Sequence, residues 1–454
     1  MRESLKTLKE LPVESLSYSK NKQKAFTFSL ILLIAFNMML GLALHKVRSL
    51  ATIHALILPA IAILTLFFKK PYPSLMLLSY IANCHVLWRM TKAKVFWEYS
   101  KYVSILIIIL ILLRYVKHIK NFILPGLFIF FLGISIPLTI NYYGSFALIR
   151  RAISFNLSGP VLLALSVMLF YNIKIPKSRM RGVLFSLVMP TISIATISLY
   201  SIMTKQIIFT GGSNFAASGG FGPNQVSATL GLGALIALIL GLNYFNKTSE
   251  KTLMFILSFW LFIQSLLTFS RGGIFNFTLS IIAFLWYSIR DKNTRFKALS
   301  SVILLSSLLF IMLPKIQRLT QGQLEERFTN LDPTGRDKIA LAEIRVFEEH
   351  PLFGVGPGVG ISERSGILGR YVASHTEYTR LPAEHGIFGL MALATLIWII
   401  LIPIKRSKTA DIKAENAAFV LWTLAEMAHS ATRIAITGFM PGIAYLNMQR
   451  EEEE

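Results

Sequence analysis

A chain of 454 residues that is 54% hydrophobic and 15% charged, with a mean hydropathy of +0.58, has too few polar groups to be a water-soluble domain and is expected to be solvated mostly by lipid. Its net charge of +23 does not mark a nucleic-acid partner, because Lys and Arg sit in short clusters between apolar runs rather than along one face. Cys84 is the single cysteine, which excludes an internal disulfide and any cysteine-based metal site.

Residues 1–24 hold Lys6, Lys9, Lys20, Lys22 and Lys24. They are read as a cytoplasmic segment leading into a retained first helix, since no small-residue cleavage site follows and further apolar runs do. Runs approaching the roughly 17 to 25 residues that cross hydrocarbon then recur. Clear examples are Ala25–Leu44, Val103–Leu113, Val183–Met203, Val226–Phe245, Leu253–Phe269, Ile274–Ile289 and Ala298–Leu313, with Ile387–Ile404 further on. None alternates, so helices are predicted rather than barrel strands. The expected fold is all-α, a polytopic integral membrane protein with about 12 transmembrane helices. These occupy 25–314 and 383–448, flanking a partly helical external loop at 315–382, and an acidic tail follows at 449–454. With the N-terminus inside, the cations of Lys69–Lys70, Arg114–Lys120, Lys174–Arg181, Arg290–Lys297 and Lys405–Lys413 all fall on the inner side. The exceptions, Lys46, Arg48, Arg89, Lys92 and Lys94, all flank the first three spans.

This topology brings Lys205–Gln225, Ser270–Gly273 and Lys315–Pro382 to one external side. Arg150 and Arg151, in the external loop after Ile140, either add positive charge for an anionic substrate or meet lipid head groups. Gly222 and Asn224 stand just before the span at Val226, where free N–H donors at a helix start attract an anion; the plainer reading is a loop with proline at a helix start. Ser270 and Arg271 sit in a very short turn, and the planar Arg271 fork suits phosphate oxygens or else snorkels to the interface. Arg336–Glu349 is predicted to be an amphipathic helix, with Ala340, Ile344 and Phe347 on its apolar stripe, Ile339 and Val346 beside it, and Thr334 as N-cap. His350-Pro351 ends it, and the turn-rich Pro351–Gly358 follows. A loop laying that stripe on the membrane mouth would act as a lid.

His375, Arg380 and Glu384 converge just outside a span and read as an acid-base and anion site. The bland alternatives are a histidine satisfied by loop hydrogen bonds and a Glu384 that merely favours a helix N-terminus. Glu426, His429 and Arg433, spaced three and four apart, are predicted to share a helical face, as functional charges or as a self-paired lock. No metal site is expected, because the external side offers only Asp332 and Asp337.

Several motifs in order resemble the O-antigen ligase and polymerase superfamily of bacterial envelope glycosyltransferases: Gly-Phe-Gly-Pro-Asn224, Ser270-Arg-Gly-Gly273, Thr334-Gly-Arg336, Pro351-Leu-Phe-Gly-Val-Gly-Pro-Gly358, and His375 followed by Glu384-His-Gly-Ile-Phe-Gly389. The resemblance covers residues from Arg181 to Leu401. It implies a multi-pass protein of the bacterial inner membrane that moves a glycan from undecaprenyl pyrophosphate to a sugar hydroxyl on the periplasmic face. The acceptor would be a glycan or lipid A-core, the reaction would invert the anomeric centre, and neither metal nor cofactor would take part. His375, Arg271 and Glu384 would be catalytic, with Arg271 and Arg336 holding the pyrophosphate and His375 taking the acceptor's proton. Arg336, Arg380, Asn224, Gly222, Ser270, Arg150 and Arg151 would bind substrate. The chain departs from the family where Thr376 replaces an Asn after the histidine, and where Ala216, Ala217 and Ser218 replace an Arg before the Gly-Pro-Asn segment. Rival functions are a transporter or flippase of lipid-linked glycan, which would carry polar groups at the bilayer midplane, and a protein-directed O-oligosaccharyltransferase.

Overall fold

The computed structural model describes residues 13–451 except 293, 331, 333 and 334, with side chains described from Phe26 onward. The N-terminal half runs α1 (Val13–Lys46), α2 (Arg48–Leu64), α3 (Tyr72–Met90), α4 (Tyr99–Tyr115), α5 (Ile123–Gly133), α6 (Ile136–Tyr142), α7 (Phe146–Tyr171) and α8 (Lys177–Thr204). Then come α9 (Pro223–Asn243), α10 (Thr248–Leu267), α11 (Arg271–Ser288), α12 (Arg295–Leu319), α13 (Gln323–Thr329), α14 (Arg336–Glu349), α15 (Gly360–Leu368), α16 (Glu377–Arg406), α17 (Ala410–His429) and α18 (Ala435–Met448). Ile175–Pro176 and Arg450–Glu451 form a two-stranded parallel pairing, so the start of α8 and the segment after α18 meet.

The chain is an all-α polytopic membrane protein. Among the described residues, nine stretches are long and apolar enough to cross a membrane. Others, such as α3 and α17, are shielded from lipid by their neighbours and so carry buried Asn83, His85, Glu415 and Asn416 at little cost in exposure. α9 is central, with 89% of its apolar window buried, whereas α12 lies at the rim with 11%.

Contacts between termini fix which helix ends share a side. The His45 ring meets Tyr200, joining the ends of α1 and α8. Arg89 at the end of α3 donates to Gln225 at the start of α9 over 3.2 Å. Arg271 at the start of α11 donates to the carbonyls of Asn330 and Asp332 beyond α12. The three external segments expected from the sequence therefore do lie at one end of the bundle. Arg89, an exception to the charge register, is ion-paired with Glu98 at 3.2 Å, and Glu98 also holds buried Lys101 at 2.7 Å. A neutralised internal pair is invisible to a rule that counts loop cations.

Two expectations need correction. The helix over Arg336–Glu349 forms, but its buried face is Ile339, Ala342, Glu343 and Val346, while Ile344 on the expected stripe is 42% exposed. The physical reason is an ion pair: Glu343 meets Arg364 of α15 at 2.8 Å, both buried, and this pair turns the helix. The expected Thr334 cap lies outside the described residues, and Gly335 occupies the N-cap position. The second concerns Glu426, His429 and Arg433, which do not share a helical face. α17 ends at His429 and Ala431 adopts a left-handed φ of 53°, which carries Arg433 elsewhere.

The apolar run at Ile387 belongs to a longer α16 that starts at Glu377 and breaks at Gly386, where φ is 61° and ψ −139°. There the turn-rich segment docks on it backbone to backbone. Gly356 N–H donates to the Glu384 carbonyl over 2.8 Å, and Ile387 N–H to that of Pro351 over 2.8 Å. A Cβ on Gly386 would sit 2.5 Å from the Leu352 carbonyl, and one on Gly354 would sit 2.4 Å from the Glu384 backbone, so both positions require glycine.

Candidate functional site

Short polar connections at one end of the bundle build the site. Pro223 opens α9 after Gly222, and Ser270 stands at the N-cap of α11. Ser270 Oγ donates to Asn224 Oδ1 over 2.7 Å, so these two sequence-predicted residues meet. Phe269 just before them takes φ 59°, a conformation costly for a side-chain-bearing residue. Its carbonyl is held by Arg327 at 3.0 Å.

Arg271 follows at the first position of α11. Its two hydrogen bonds go to backbone carbonyls, which orient the guanidinium. Arg327 and Arg336 lie close enough to feel it. Burial first, then the nearby Arg271, holds both guanidinium groups below their usual range. Three cations thus converge here, of which Arg327 was not singled out from the sequence; no motif signals it.

His375 sits in the loop before α16. Burial, then Arg433 and Arg336, pushes its pKa down to about 4, so the ring is neutral at physiological pH. The His429 backbone hydrogen-bonds the ring, whereas Nδ1 is buried without a hydrogen-bond partner among the described residues. Thr376 does not orient this imidazole: its side chain caps α16 by accepting from Tyr378 N–H at 3.2 Å. Orientation comes instead from the end of α17. There His429 Nε2 lies 3.0 Å from Asn276 Oδ1, and Asn276 donates to Glu426 over 2.7 Å. Gly272 lets the His429 ring approach, since a Cβ there would lie 2.5 Å from His429 Cε1.

On the far side of Arg433 a cavity of about 410 Å³ is bounded by Arg151, Arg364, Ser374, Arg380, Glu384 and Arg433. Arg433 donates to the carbonyl of Ser374, the residue before His375, so the cavity wall and the His375 loop meet at Arg433. Burial and then Arg364 and Arg380 push the Arg433 pKa down to about 10. Arg380 and Glu384 are engaged with each other at 2.8 Å, and Glu377 and Asn156 accept from the rest of the Arg380 fork, Glu377 also binding Thr432 N–H at 2.8 Å. Arg380 therefore brings no surplus charge, and Glu384 is a partner in a buried triad rather than a free acid. Arg150 and Arg151 lie exposed on the first turns of α7, the former facing an adjoining cavity.

The predicted residues thus fall into two neighbouring groups. Gly222, Asn224, Ser270 and Arg271 gather at the starts of α9 and α11, while Arg151, Arg380 and Glu384 border the cavity. Arg336 lies near both Arg271 and His375 and so links the first group to the histidine. Among the described residues no three His, Cys, Asp or Glu side chains cluster as metal ligands would.

Residues 253–394, from α10 into α16, match the family model described as O-antigen ligase. No curated protein matches the chain.

Proposed function

We propose, on the premise that residues 253–394 carry an O-antigen ligase domain and that the chain is of the O-antigen ligase/polymerase superfamily, that it transfers a glycan from undecaprenyl pyrophosphate to a sugar hydroxyl at the periplasmic face of the inner membrane. The observation that carries this reading is a neutral imidazole, its buried Nδ1 without a hydrogen-bond partner among the described residues, beside the converging guanidinium groups of Arg271, Arg327 and Arg336. The acceptor oxygen attacks the anomeric carbon while His375 Nδ1 takes its proton. The bond from that carbon to the diphosphate oxygen breaks, and the departing diphosphate carries the growing negative charge. Arg271 and Arg336, with Arg327 behind them, stabilise it as fixed positive dipoles and charges do in a dry site. A single displacement inverts the anomeric centre, and the cations supply the charge stabilisation a metal would otherwise give. The candidate site residues gather at the helix ends of one side of the bundle, and this supports an enzyme over a transporter, which would need its polar site at mid-depth.

Arg271→Ala is expected to lower transfer by about 100- to 1,000-fold, as removal of an oxyanion donor does. Arg271→Lys should recover only part of it, because an ammonium cannot make the two-pronged contact. Transfer from undecaprenyl-pyrophosphate glycan by purified protein in lipid measures this, and wild-type rates in Arg271→Ala would refute the reading. Surface glycans of a strain lacking the protein separate the subclasses: one repeat on the lipid acceptor marks a polymerase, long glycan stranded on its carrier a ligase.

A further inference from the structure

Three cavities at this end of the bundle share walls. The first, about 410 Å³, reaches Ser374 and Arg433 beside His375. The second, about 750 Å³, shares Leu148, Arg151 and Phe155 with the first. The third, about 310 Å³, shares Phe96 and Trp97 with the second and ends at Trp88 and Lys94. These shared walls place them in sequence, a track from Ser374, the residue before His375, across the start of α7 to the α3–α4 connection.

The walls of this track have a consistent chemistry. Aromatic rings stand open along it: Trp97 is 55% and Phe96 56% exposed. Arg89 covers one face of the Trp97 indole at 4.0 Å and fixes the ring, leaving the rest accessible. Between the rings lie Arg150, Arg151, Ser154, Lys92 and Lys94. An acyl or prenyl chain would call for an unbroken apolar lining, whereas a pyranose offers an apolar face to a ring and polar groups at its edge, which suits aromatics interleaved with polar side chains.

Charge narrows the class further. The carboxylates bordering the track are each held by a buried cation: Glu98 by Lys101 at 2.7 Å, and Glu377 and Glu384 by Arg380. Lys92, Lys94, Arg150 and Arg151 are exposed and form no ion pair among the described residues. The accessible surface is therefore positive, and such a surface concentrates anions.

We propose that this track binds an extended acidic glycan, several sugars long, with Trp97 and Phe96 stacking sugar rings and Arg150 and Arg151 pairing with uronate-type carboxylates. The proposal rests on the reading of His375 as the transfer site, because the track reaches Ser374 and Arg433 next to it and would hold the sugars that follow the reacting one.

The test is calorimetric binding to the full-length protein in nanodiscs of fixed lipid composition. The probes are an oligomer of about six uronic acids, its monosaccharide, and a neutral glucose oligomer of equal length. The acidic oligomer is expected to bind at least about tenfold tighter than either of the others. Trp97→Ala and the Arg150→Ala/Arg151→Ala pair should each weaken it about tenfold, and Trp97→Phe should restore most of the affinity. Equal affinity for monomer and oligomer, or an unchanged oligomer affinity in Trp97→Ala, would overturn the track and leave Trp97 as part of an interfacial aromatic belt. Equal affinity for neutral and acidic oligomers would overturn the acidic class. His375→Ala should keep oligomer binding while losing transfer. If that variant binds normally and also transfers normally, the track stands and the catalytic reading of His375 falls.

Discussion

Replacing His375 by alanine is expected to cut glycan transfer by about 100- to 10,000-fold, the usual contribution of a general base, with membrane insertion unchanged. The loss should come with a distinctive pH profile in the wild type. In the free enzyme the imidazole protonates only near pH 4, held down by burial and by Arg433 and Arg336. The acid limb of kcat/KM, which reports the free enzyme, is therefore expected near pH 4 rather than near the ordinary value of 6.5. A bound diphosphate offsets the neighbouring guanidinium charges and favours the protonated ring, so the acid limb of kcat should lie at higher pH than that of kcat/KM. Steady-state rates of transfer from pH 3.5 to 8 measure both limbs. A kcat/KM limb at 6.5 would put the imidazole in open solvent, and residual transfer in His375→Ala close to wild type would remove it from the chemistry. The same shift has a sign for stability. Between pH 6.5 and about 4 the unfolded chain binds a proton that the folded protein does not. Stability from this group is thus present above 6.5 and lost as pH falls toward 4.

The second large effect is structural. Gly386→Val is expected to dismantle the junction between the turn-rich loop and α16, because the added Cβ would lie 2.5 Å from the Leu352 backbone and the φ of 61° with ψ of −139° is open only to glycine. Rearranging the backbone there should cost several kcal/mol, since the strain alone is of order 1–3 kcal/mol. It would also shift the α16 residues Arg380 and Glu384 and the His375 loop that leads into them. A lowered midpoint of thermal unfolding in detergent, together with loss of transfer, is the expected readout. Gly366→Ala in α15 is the control, for a Cβ there meets nothing within 4 Å, and alanine favours a helix by about 0.5–1 kcal/mol. Equal stability of the Gly386 variant and the control would show that the loop docks without the close backbone approach.

Properties that depend on nearest neighbours and on solvent were legible in the sequence. Apolar runs gave the spans, because a lipid-exposed backbone has to bond to itself within each segment. His350-Pro351 marked the end of the helix that begins at Arg336, and the glycines of the following turn announced a tight backbone path. Ser270, Arg271, Asn224 and His375 stood out because polar groups at span ends are few in so apolar a chain. Pairings between distant segments were not legible. Glu343 and Arg364 are 21 positions apart by their numbering, yet their 2.8 Å contact decides which face of α14 is buried, overriding the apolar stripe. Arg89 reads as a stray external cation until Glu98 neutralises it. Arg380 and Glu384 read as reactive until Glu377 completes their triad.

The sequence by itself determined that this is a helical membrane protein, because solvation and hydrogen bonding along the chain are local and leave a periodic record. Only the tertiary structure decided which charges are cancelled and which remain open, because cancellation of a buried charge depends on a partner that folding brings from elsewhere in the chain.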